Sequence, residues 1–229
     1  MHIEATDETI VLVIRFKIGG SLRFLSHAET LRVFQRACVR AGINLQYSSG
    51  FNPRPRMSLP LPRPVGVESD DELLTLRVYK GTGAQEHKGT DFYTNIHDNL
   101  SGQLPEGFKL ISVNFVETRT PYQPRSVTYV FSVRPEFLDE KLKNRVNNLM
   151  ASESLYLRRP INKIKSNFKD IDVRQFLGSI ELEGGDIAVE CGVSGAGSVR
   201  VQEVLELLEL DEAMLALPVR RTNVQWRDV

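Results

Sequence analysis

Residues 8–48 read "ETIVLVIRFKIGGSLRFLSHAETLRVFQRACVRAGINLQYS", and the order of elements within them decides the fold class. A β-rich apolar run ending in Gly19-Gly20 is the pattern of a strand and its stop. "SHAE" then supplies a helix start: Ser26 is an N-cap residue, and Glu29 comes at capping-box spacing. Leu31, Phe34, Cys38 and Ala41 recur at helical spacing and mark the face to be buried. Gly42 ends that helix, and "INLQYS" (residues 43–48) is predicted as a second strand.

Outward from there, "FNPRPRMSLPLPRPVG" (51–66) must be extended, because each proline disfavours helix in the residue before it. "DELLTLRVYK" (71–80) is a strand with Leu74, Leu76 and Val78 on one side. "DFYTNIHDNL" (91–100) places Phe92, Ile96 and Leu100 at helical spacing, and "FKLISVNFVE" (108–117) closes as a strand. The order β-α-β-β-α-β is the split βαβ, or ferredoxin-like, plan. "TRTPYQPRS" (118–126), polar with two prolines, reads as a linker. Beyond it a similar order returns: strands at 127–133, 154–159, 186–193 and 215–226, and helices at 136–152 and 198–210. "KDIDVRQFLGSIEL" (169–182) fits neither element cleanly. The expected fold is therefore α+β, two tandem ferredoxin-like units with antiparallel sheets, over residues 1–118 and 126–229. One continuous sheet shared by both halves is the alternative.

A chain of 229 residues, 41% hydrophobic and 25% charged, has the composition of a soluble globular protein. Its apolar runs are too short to span a bilayer. The opening "MHIEATDETI" carries acids where a secretory signal would carry basic residues, which points to the cytoplasm. Cys38 and Cys191 are too few for a disulfide framework, a thiolate zinc site or an iron–sulfur cluster. Both read as packing residues, and no metal or cofactor is expected.

The formal net charge is zero, but the charges are unevenly spread. Arg15, Lys17, Arg23, Arg32, Arg36, Arg40, Arg54, Arg56 and Arg63 crowd the first segment. Glu68, Asp70, Asp71, Glu72, Glu86, Asp91, Asp98 and Glu106 dominate the next. Either one face awaits an anionic partner, or the two segments neutralise each other. Arg32, Arg36 and Arg40 are spaced by four and fall on one helical stripe, where like charges repel. Guanidinium binds phosphate in a two-toothed geometry, so nucleic acid is a natural partner for such a row.

In "GFNPRPRMSLP", Gly50 can take a backbone angle closed to other residues, and Pro53 and Pro55 stiffen the chain after it. The turn presents Phe51, Asn52, Arg54 and Arg56 with little entropy left to lose. An aromatic beside arginines suits stacking on an unpaired base while cations hold its backbone. Phe51 plugging the core is the competing reading. Two basic pairs, Arg158-Arg159 and Arg220-Arg221, close predicted strands and would extend the same surface. His27 opens the arginine helix and could serve as a base at a phosphate, with hydrogen bonding at the helix start as the competing reading. It lacks a paired carboxylate or nucleophile in the sequence pattern. "GVSGAGSVR" has neither P-loop nor dinucleotide spacing. No catalytic constellation emerges.

From "LRFLSHAETLRVFQRACVRAGINLQYSSGFNPRPRMSLPLPRPVGVESDDELLTL", and more weakly through "DVRQFLGSIEL" and "PVRRTNVQW", the sequence resembles the radical-SAM-linked bacterial proteins of the DUF2344 type. The Leu-Ser-His, Arg-Ala and Gly-Phe-Asn-Pro elements carry the likeness. The resemblance implies a companion of a radical SAM enzyme. Its shared surface would include Ser26, His27, Arg36, Gly50, Phe51, Asn52 and Pro53. That pattern often has histidine where Arg54 stands, and the departure weakens a catalytic or metal-binding role there. The expected function is a non-catalytic RNA-binding or substrate-presenting accessory protein, with structured RNA or tRNA and a radical SAM enzyme as partners. Arginines would contact phosphates, and Ser26, His27 and residues 50–53 would contact a base or ligand. A module docking directly on the enzyme, or an enzyme site around His27 and Phe51-Asn52, are the alternatives.

Overall fold

The computed structural model describes residues 9–79, 90–116, 122–160 and 168–227, the side chains of residues 90–94 excepted. The N-terminal segment, residues 118–121 of the linker stretch and the Phe92 side chain lie outside the described residues. By its internal contacts the chain divides into two compact units, between Gln123 and Pro124.

In the first unit β1 (Thr9–Ile18), α1 (His27–Arg40), β2 (Met57–Ser58), β3 (Glu68–Tyr79), α2 (Thr90–Ser101) and β4 (Phe108–Val116) succeed one another. β1 lies between β3 and β4 and pairs with both antiparallel; β2 pairs with β3. Side chains alternate across a strand, so Leu12, Ile14, Phe16 and Ile18 of β1 share a face with Leu74, Leu76 and Val78 of β3. Against this face α1 buries Phe34, Ala37 and Cys38, and α2 buries Ile96 and Leu100. Phe16, Phe34 and Phe108 form an aromatic cluster with centroids 4.6, 5.7 and 5.4 Å apart. Such pairs add roughly 0.5–1.5 kcal/mol each beyond area burial. The capping box forms as the sequence predicts. Glu29 N–H donates to Ser26 Oγ at 3.3 Å, and Ser26 N–H donates to Glu29 Oε2 at 2.8 Å.

One expected strand is reduced. Residues 43–48 hold only the isolated bridges Leu45–Val78 and Tyr47–Pro55, and β2 is two residues long. Prolines at 53, 55, 60, 62 and 64 remove the donors that a continuous ladder needs.

The second unit runs β5 (Pro124–Ser132), α3 (Glu140–Ala151), β6 (Tyr156–Pro160), β7 (Phe168–Asp172), β8 (Leu177–Glu183), β9 (Asp186–Ser194), β10 (Gly197–Ser198), α4 (Val201–Leu208) and β11 (Arg220–Trp226). β5 lies between β9 and β11, and β8 and β10 both pair with β9. Phe131, Ile187, Val189 and Cys191 of the sheet, with Leu142, Val146 and Leu149 of α3 and Val204, Leu205 and Leu208 of α4, are buried. The ambiguous stretch 169–182 becomes β7, a single 3-10 turn at Arg174–Phe176, and β8. β6 and β7 make a two-stranded ribbon of their own. Among the described residues no helix is long and apolar enough to cross a membrane.

Candidate nucleic-acid interface

The amphipathic pattern of α1 fixes where its arginines point. With Thr30, Phe34, Ala37 and Cys38 turned to the core, Arg32, Arg36 and Arg40 are left on the solvent side. The stripe is ~12 Å long at 1.5 Å per residue. Arg40 is tied down: its Nε donates to Gln103 Oε1 at 3.1 Å and an Nη to the Gln103 carbonyl at 2.7 Å.

Shortly after α1 the chain enters an extended hairpin. Gln46 N–H donates to the Arg77 carbonyl of β3 and Arg56 N–H to the Gln46 carbonyl, both at 2.8 Å. Arg77 N–H donates to the Arg56 carbonyl at 3.0 Å. Nearer the tip, Ser48 N–H donates to the Arg54 carbonyl at 2.8 Å, and Arg54 N–H returns to Ser48 Oγ at 3.0 Å. The turn between these arms holds Gly50 at φ +123°, in the region that favours glycine, with open space where a Cβ would sit. The backbone angle, not crowding, requires glycine there. Phe51 is fully exposed at this tip, which rejects the core-plug reading. Asn52, Pro53, Arg54 and Arg56 are exposed beside it.

Most other cations of the segment are already engaged. Arg15 pairs with Asp71, and Lys17 Nζ lies 3.0 Å from Asp70 Oδ1. Arg63 donates to the carbonyls of Arg23, Leu25, Pro64 and Val67, stitching two loops together. Arg23 donates to the Gly20 carbonyl and stacks 4.4 Å from the Phe24 centroid. Asp70 and Asp71 thus neutralise Arg15 and Lys17 of β1, not the helix stripe. Among the described residues, the guanidinium groups of Arg32, Arg36, Arg54 and Arg56 make no hydrogen bond or ion pair. Between Glu29 and Glu68 the chain carries no acid at all.

The basic pairs of the second unit require correction. Arg159 has a side chain 14% exposed and makes a two-toothed pair with Glu203, with contacts of 2.6 and 2.7 Å. Arg221 is 1% exposed. Neither can meet an external anion from where it stands. Adjacent residues of a strand face opposite sides, so each pair had to send one member inward. Arg158 is exposed and stacks on Phe168, and Arg220 is half-buried.

Ser26 is occupied by the cap. Its hydroxyl, then its backbone N–H, hold the Glu29 carboxyl below the usual range, with a smaller push from nearby Arg32. His27 is exposed at the helix start. The cavity beside it is about 10 Å³, room for one water, and is lined by Phe16, Leu25, Thr30, Leu59, Arg63 and Glu72. None of these comes from the Gly50–Pro53 turn, and no substrate fits there. Burial pushes both the Cys38 and Cys191 thiols up to about 12, so both pack as neutral apolar groups. Among the described residues no group of three His, Cys, Asp or Glu is placed to hold a metal ion.

The family model described as "Uncharacterized protein conserved in bacteria (DUF2344)" matches residues 12–205. No curated protein matches. Among solved structures, a chain of the "Crystal Structure of a Cbf5-Nop10-Gar1 Complex" is 13% identical, with a TM-score of 0.45, over 93% of this chain. This chain spans 48% of that one, and a likeness so distant carries no argument.

Proposed function

The chain belongs to the DUF2344 family of bacterial proteins, and we propose that it is a non-catalytic, RNA-binding accessory protein. One observation carries the reading: a fully exposed Phe51 at a pinned hairpin tip, beside Arg54 and Arg56 that have no acid partner among the described residues. Phe51 stacks on an unpaired base, a contact worth about 1–3 kcal/mol. Arg54 and Arg56 hold the phosphates beside it, Asn52 reaches the base edge, and Arg32 and Arg36 contact backbone further along. The hairpin's hydrogen bonds fix the tip in advance, so little order is lost on binding. The two units, each with its first strand central in an antiparallel sheet, support reading the fold as tandem split βαβ.

The enzyme served is a radical SAM enzyme, the companion that the family resemblance implies, and in this reading its substrate is RNA. Binding of structured RNA with unpaired loops tests the reading. Arg54→Glu/Arg56→Glu should weaken binding at least tenfold with the thermal midpoint unchanged; equal affinity rejects it. Capture of the partner enzyme without RNA, lost on Arg54→Glu, would instead assign the turn to protein docking.

A further inference from the structure

Two glycines open a hollow on the sheet of the second unit. Ser126 of β5 stands opposite Gly192 of β9 on one side and Gln225 of β11 on the other. Their chain neighbours Val127, Cys191 and Val224 are buried in the core. By the two-residue alternation Ser126, Glu190, Gly192 and Gln225 therefore share the opposite face. Gly192 leaves a gap in that row where another residue would place a side chain. Beyond β9, the register with β8 passes from Leu177–Cys191 to Ile180–Val189, so Gly178 and Ser179 bulge opposite the single Glu190. A Cβ at 178 would lie 3.1 Å from the Glu190 carbonyl oxygen, and glycine lets the bulge close that near. The result is a cavity of about 310 Å³, whose wall also includes Gln175 and the exposed Arg125.

Its polar groups are unspent. Among the described residues the side chains of Arg125, Ser126, Glu190 and Gln225 make no hydrogen bond or ion pair, although Ser126 is only 7% exposed. Polar groups withdrawn from water are ordinarily satisfied, so their convergence on one cavity calls for a ligand. Arg125 and Glu190 carry opposite charges and line the same cavity without pairing. An anion alone would meet the Glu190 carboxylate, and a cation alone the Arg125 guanidinium. Nor does the wall offer a ring for a base to stack on, since its Phe176 is buried. A small molecule bearing both charges answers both groups at once.

We propose that this cavity binds a free α-amino acid. Arg125 takes the carboxylate and Glu190 the ammonium group, which leaves the Ser126 hydroxyl and the Gln225 amide to bond a polar side chain. The proposal does not rest on the RNA-binding reading.

Melting of the full chain with each common α-amino acid at millimolar concentration, beside the matching deaminated acid and decarboxylated amine, tests this. At least one amino acid should raise the midpoint in a saturable way, and its two single-charge analogues should not. Glu190→Gln and Arg125→Gln should each weaken its binding about tenfold or more in titration calorimetry, with the ligand-free midpoint unchanged. The assignment is overturned if no amino acid shifts the midpoint, if the deaminated acid binds as tightly, or if Glu190→Gln leaves the affinity as it was.

Discussion

Arg158 and Arg159 are chain neighbours with opposite roles. Arg159 is enclosed by bonds to Glu203 and Ser198, and Glu203 also accepts from the Arg200 N–H at 2.8 Å. Removing one member of such a pair leaves a buried charge uncompensated, at a cost of about 3–5 kcal/mol. Glu203→Ala should therefore lower the thermal midpoint by many degrees in a melting experiment. Arg158→Ala, on the outer face, should change stability by no more than about 0.5 kcal/mol. Comparable effects from both would contradict the burial assigned to Arg159. The inward turn of Arg159 and Arg221 is legible in strand alternation. Counting basic pairs as surface without applying that period misplaces both. The carboxylate that receives Arg159 lies 44 positions away in sequence, and only folding brings it near.

At the scale of the element, local signals are more legible than pairings. Ser26 and Glu29 announce α1, because the cap is satisfied within four residues. The strand expected at residues 43–48 dwindles to bridges, since its partner arm is full of proline. The exposed ribbon is half-legible: sequence predicts β6, but the aromatics that face outward on it depend on a register no local pattern fixes. Ser26→Ala should cost about 1 kcal/mol. The cap is also pH-sensitive, with a definite sign. Glu29 has a lowered pKa in the folded chain, chiefly from the Ser26 hydroxyl. Asp172 is lowered too, by the Leu155 and then the Arg174 backbone N–H. A depressed carboxylate adds stability that is fully present above about pH 5 and lost as pH falls through the folded value. Acid titration of urea unfolding should show the parent losing stability there, and Glu29→Gln losing less of it. An equal loss in both would remove Glu29 from the account.

Across the whole molecule, charge is sorted by use. Asp70 and Asp71 of β3 are spent on Lys17 and Arg15 of β1, so net neutrality conceals arginines that form no ion pair among the described residues. Arg32, Arg36, Arg54 and Arg56 are exposed, and Arg40 is held by Gln103. Sequence spacing places the helix stripe correctly on the solvent side. It gives no means of telling Arg40, which Gln103 holds, from Arg36, which has no bond among the described residues.

The salt dependence of RNA affinity reads this arrangement directly. Four phosphate contacts on a single strand predict a slope of log affinity against log salt of about −3, falling in magnitude by roughly 1.4 in Arg54→Glu/Arg56→Glu. Affinity indifferent to salt, or a slope the double variant leaves unchanged, would contradict the claim that these four guanidinium groups wait for phosphate.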